Sequence, residues 1–228
     1  MWLGFPFLMG RSFLILLPAL ALAIYAQYRV RSTYTRYSKI ETAQRVTAGQ
    51  IAKRMLEANG ITDVSIGEAK GQLADNYDPR KKILHLSAPE STSVAAVGVA
   101  AHEAGHAIQH ANDYKALSLR TAIVPIANIG SQMAFPLFFL GLIFRNQAFI
   151  TIGILAFSAA VLFTLVTLPV EFDASRRAVA SLRQSGLMSE EEIGGVKEVL
   201  FAAALTYVAA AAMAALQLVM LLSGSRRQ

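Results

Sequence analysis

Residues 102–106 read His102-Glu103-Ala104-Gly105-His106, an H-E-x-x-H pattern in a 228-residue chain. With 4 His and 10 Glu in the sequence, chance alone would give this pattern about 0.003 times. Side chains four apart share a helix face, so His102 and His106 can offer ring nitrogens to one metal ion. Zinc suits two imidazoles and a carboxylate, with a fourth position open for water. Glu103, beside the first ligand, can take a proton from that water and pass it to a leaving amine. Gly105 lets a neighbouring element approach the helix. The competing reading is a helix whose imidazoles are only packed or solvated. It fits poorly, because each polar group on this Ala/Gly/Val-rich segment needs a partner.

A third ligand must come from elsewhere. A metzincin would carry Gly at 109 and His at 112, where this chain has Gln109 and Asn112. His110 lies on the same face but about 6 Å further along the axis, too far to close one site. Contact with a ligand, contact with substrate and simple exposure remain open for it. His85, on a short strand, reads more readily as structural. Glu171 is the best third ligand and Asp173 its rival; the competing role for Glu171 is a helix-end charge paired with Arg. Ser175, one turn on, can hydrogen-bond a ligand. Arg176 and Arg177 can stabilise an oxyanion or mark a membrane boundary.

The elements that position these groups are largely apolar. Hydrophobic residues make up 54% of the chain, charged ones 16%, and mean hydropathy is +0.44. That excludes disordered and fibrous classes and points to a membrane protein. No Cys is present, so there is no disulfide, thiolate site or Cys nucleophile. Four apolar runs approach the roughly 20 residues a span requires. They are Phe5 to Tyr28, Ala122 to Phe144, Ala148 to Pro169 and Val199 to Leu222. The second and third form a hairpin around Arg145-Asn146-Gln147. The first also has features of a cleaved signal peptide, but its apolar character starts before Arg11 and passes Ala23, which favours a retained helix. The net charge of +6 bears on topology rather than on nucleic acid. Arg29, Arg31, Arg36, Lys39, Arg45, Lys115, Arg120, Arg176, Arg177 and Arg183 flank the long loops and place them in the cytoplasm, against the dissent of Arg226-Arg227.

The chain therefore divides into a first transmembrane helix (1–28), a catalytic insertion (29–121), a transmembrane hairpin (122–169), a third-ligand helix and connector (170–198) and a last transmembrane helix with its tail (199–228). In the insertion, Thr47-x-x-Gln50 is a capping box, and Asn59-Gly60 closes the helix it starts. Val64 to Ile66 and Ile83 to Leu86 read as a short strand pair, with a turn over Asn76 to Arg80. Ser91 or Thr92 caps a helix from about Ser93 to Asn112. In the connector, a helix runs from the third span to Ser185-Gly186, and Ser189-x-x-Glu192 is a second capping box.

Ala100 to His110, Leu168 to Arg177 and Ala204 to Ala211, with Tyr25 to Tyr28 and Tyr77 to Arg80, resemble the YugP-like family of bacterial neutral zinc membrane metallopeptidases. The resemblance covers nearly the whole chain. More distantly, the layout is similar to HtpX-like and CAAX-processing membrane gluzincins, which pair H-E-x-x-H with a later E-x-x-A-D helix. Glu171 matches the ligand Glu and Ala174 the Ala, while Ser175 stands where that pattern has Asp. The resemblance implies substrate binding by strand addition at Ile83–Leu86, with Asn76 and Tyr77 near the cleft rim.

The expectation is a mainly α integral membrane protein of about four transmembrane helices. A small gluzincin-like α+β catalytic portion is built from two loops on one side. It holds one Zn2+ per chain on His102, His106 and Glu171, with Glu103 as general base. His110, Ser175, Arg176, Asn76, Tyr77 and His85 are candidate substrate or ligand-supporting residues. The partners are polypeptides in or near a lipid bilayer, with no nucleic acid, and the location is the bacterial inner membrane with the site facing the cytoplasm. Two alternatives stay open: a membrane scaffold with a structural zinc site, and a site-2-type intramembrane protease. The Leu-Asp-Gly motif of the latter is missing.

Overall fold

Long apolar runs can satisfy their backbone without water only as helices, and helices dominate the computed structural model, which describes residues 14–71 and 74–225. In chain order these are α1 (Leu17–Tyr37), α2 (Ala48–Ala58), β1 (Ser65–Glu68), β2 (Asn76–Asp78), β3 (Ile83–Leu86), α3 (Val94–Ala111), α4 (Lys115–Ile143), α5 (Gln147–Ser185) and α6 (Glu190–Ser225). Among the described residues, three helices are long and apolar enough to cross a membrane: α4, α5 and α6. The first span expected over 5–28 lies partly outside the described residues. From Leu17 on, its described part belongs to α1, which continues to Tyr37.

The chain forms two compact units. One takes Met1–Ala26, Leu119–Leu168 and Thr206–Gln228, so far as these are described. Its core gathers Ala134, Phe138, Ile150, Phe157, Val161 and Leu221. Gly130 sits so close to α5 that an added Cβ would lie 2.5 Å from the Ala156 carbonyl oxygen. Such small-residue crossings are how helices pack where lipid removes the hydrophobic drive. Ile129 and Leu155, 67% and 64% exposed, present the apolar outer surface a bilayer would cover.

The other unit takes Gln27–Ser118 and Pro169–Leu205. Its helix starts follow from local chemistry. Thr47 and Gln50 form the expected capping box, and Ser189 and Glu192 exchange the same pair of bonds. α3 is capped by Ser93, whose Oγ accepts from the Ala96 amide at 3.2 Å. Neither expected cap, Ser91 or Thr92, takes that place, and Ser91 instead supports the preceding turn by accepting from the Ser93 amide. Ile51 and Met55 of α2, Val94 and Val97 of α3, and Ile193 and Val196 of α6 share one core with Leu84 and Leu86 of β3. Each side chain so buried contributes about 1.5–3 kcal/mol.

The strands correct two expectations. The pair is a three-stranded sheet of order β1-β3-β2, because Asn76–Asp78, read as part of a turn, pairs antiparallel with β3. The turn falls later: Asp78 Oδ1 accepts from the Arg80 and Lys81 amides, and Lys82 takes φ 53°. β3 is therefore central, with β1 parallel on one side and β2 antiparallel on the other. Both rows of its backbone groups are engaged, so Ile83–Leu86 offers no edge for strand addition.

Candidate metal centre

The metal-binding face of α3 is built from small residues around two imidazoles. A Cβ on Gly105 would lie 2.5 Å from the carbonyl oxygen of Ala174, so only Gly lets the backbone of α5 pass this close. At helical spacing, Glu171, Ala174 and Ala178 form the buried stripe of α5 in this unit. The same contact thus aims Glu171 and Ser175 at α3.

His102 Nε2 lies 3.2 Å from Glu171 Oε2, and His106 Nε2 lies 3.7 Å from the same oxygen. The three ligand atoms fall within 4.8 Å of one another. A tetrahedral zinc ion with ligand bonds near 2.0–2.1 Å separates its ligands by about 3.4 Å. The observed spacings fit that ion. Glu171 is 2% exposed, so its carboxylate is buried beside the two imidazoles. Among the described residues the cluster that could hold a metal ion has three members.

The outward ring nitrogens are also held. His102 Nδ1 meets Ser175 Oγ at 3.1 Å, and His106 Nδ1 meets Gln109 Oε1 at 3.0 Å. Gln109 is wholly buried. Its amide nitrogen donates to the Val170 carbonyl at 2.8 Å and to Asp173 Oδ2 at 2.9 Å. Both partners only accept, so the amide is oriented with Oε1 towards His106. Nδ1 of His106 must then carry a proton, and Nε2 is the nitrogen that faces Glu171. Burial, the largest influence on His106, lowers its pKa. The hydrogen bond with Glu171, with the charges of Glu103 and Glu171, outweighs burial and sets it above the usual imidazole value.

Asp173, the rival ligand, has other work. It accepts from Gln109, Arg176 and Arg177, and the Arg177 guanidinium also lies 5.7 Å from the centre of the Tyr114 ring. Arg176 is thus paired on the protein side. Glu103 is a buried residue of α3, and among the described residues its carboxylate makes no hydrogen bond or ion pair. His110 Nδ1 is 2.8 Å from the Tyr77 hydroxyl. Burial, then the charges of Asp63 and Asp78, push that phenol up to about 12, so it stays protonated at neutral pH. His85 pairs with Gly67 and Asn76 across the sheet, and no described hydrogen bond joins His85 or Asn76 to the imidazole pair. Gln109 was not among the candidate residues. The available signal was an uncharged polar residue three positions after His106 on an apolar helix, where burial demands partners.

No solved structure matches the chain. "Putative membrane protease YugP" of Bacillus subtilis (strain 168) is 44% identical over 202 residues, covering 88% of this chain and 90% of that protein. The family described as "Putative neutral zinc metallopeptidase" matches residues 12–226. With the two imidazoles and the acid of α5 brought together as such a peptidase requires, the chain belongs to that zinc-metallopeptidase family.

Proposed function

We propose that the protein is a membrane-embedded zinc-dependent endopeptidase acting on membrane or membrane-proximal polypeptides. The observation that carries this reading is the convergence of His102 Nε2, His106 Nε2 and Glu171 Oε2, with the charge of Glu103 acting on His106. When bound, zinc supplies a Lewis acid that polarises a peptide carbonyl and acidifies water. Glu103 accepts the proton lost by the attacking water and returns it to the amide nitrogen as the C–N bond breaks, leaving a carboxylate and an amine. Ser175 and Gln109 hold the imidazoles in one orientation throughout. Three helices apolar enough to span a bilayer favour substrates in or beside one. The Lys and Arg that flank the apolar runs favour the bacterial inner membrane, with the site towards the cytoplasm.

Glu103→Gln tests this reading. The variant is expected to keep one zinc per chain while losing cleavage of a model membrane substrate by at least about a hundredfold, the scale of general acid–base catalysis. Unchanged cleavage with zinc bound would refute it.

A further inference from the structure

A cavity lies between α5 and α6 and shares Ser175 with the candidate metal centre. It has a volume of about 390 Å3, within the range of small-ligand sites. Phe172, Val179, Leu200 and Phe201 give it apolar walls. Arg176, Arg183 and Lys197 stand on its rim. Arg176 is held by Asp173 and Arg183 by Glu190, with Nη2 to Oε2 at 2.8 Å. Lys197 makes no hydrogen bond or ion pair among the described residues, and its charge acts on the same Glu190 that holds Arg183. With Arg177, which also binds Asp173, the four cations exceed these two acids, leaving the rim basic.

Apolar walls under a basic rim fit an amphiphile with an anionic head. The positions on the two helices match. Along α5 the apolar run ends at Pro169, just before the cavity residues begin, and along α6 it starts at Val199, among them. We propose that this cleft binds an anionic phospholipid, its acyl chain against Phe172 and Phe201 and its phosphate on Lys197 and Arg183. The occupant touches the supports of the metal centre. Ser175, a wall residue, bonds His102, and Arg176 bonds the Asp173 that orients Gln109. The lipid site does not depend on peptidase activity.

The test is native mass spectrometry of the purified full-length protein, titrated with phosphatidylglycerol and with phosphatidylcholine of the same acyl chains. Wild type is expected to retain phosphatidylglycerol at least tenfold more tightly. Lys197→Gln and Arg183→Gln each weaken it by roughly fivefold, the scale of one basic side chain at a lipid headgroup. Ala180→Phe fills the exposed side of the cleft and abolishes retention of either lipid. Circular dichroism and zinc content report whether each variant is folded. Equal affinity for the two lipids, or retention unaffected by Lys197→Gln and Ala180→Phe in folded protein, overturns the proposal.

Discussion

α3 and α5 supply the candidate metal centre in opposite ways. α3 concentrates His102, Glu103, His106 and Gln109 within eight consecutive residues, and its site face is almost entirely buried. α5 supplies a single candidate ligand, Glu171, and then two residues, Asp173 and Ser175, that contact α3's side chains. The first helix is a local motif; the second is a set of long-range contacts registered by Gly105 against Ala174. The difference teaches that the ligand pair is set by helix period, whereas its completion and its orientation are set by how two helices cross. The two imidazoles differ in the same sense. His102 leans on a hydroxyl that can donate or accept, while His106 leans on an amide that can face only one way.

Substitutions can break that comparison at graded points. Removing Glu171 breaks it outright. Glu171→Ala is expected to lower zinc affinity by more than about a hundredfold, beyond the range for outer partners, as read by competition with a chromophoric chelator. Retained stoichiometric zinc would mean that α5 does not complete the site. Gln109→Ala comes next. It frees the His106 ring and leaves a buried acceptor on Asp173 without its amide donor, and a fall approaching a hundredfold is expected in the same assay. Ser175→Ala should cost least, about tenfold, since His102 loses one hydroxyl partner at a partly exposed position. If Ser175→Ala weakens binding more than Gln109→Ala, the asymmetry between the two imidazoles is reversed.

Much of this was legible in the chain because it is local. The capping boxes at Thr47 and Ser189, the continuous helix through Glu171 to Ser185 and the hairpin around Arg145-Asn146-Gln147 all follow from short-range patterns. Asn76–Asp78 was misread because Asn, Asp and a following Pro signal a turn. Pairing with Leu84 and His85 of β3 makes the segment a strand, and sheet pairing is invisible to a local pattern. The same non-local fact removed β3 as an edge. Gln109 escaped notice because its partners, Val170 and Asp173, lie 61 and 64 residues away.

By itself the sequence determined the imidazole pair, its neighbouring acid and the apolar segments, since each depends on spacing along one helix or on length. Which acid closes the ligand set, which groups orient the rings and which strand lies at a sheet edge were decided only in three dimensions. Glu171 and Asp173 are two residues apart on one helix. A rotation of about 200° about its axis turns one towards the imidazoles and the other towards Gln109, and packing against Gly105 selects that rotation.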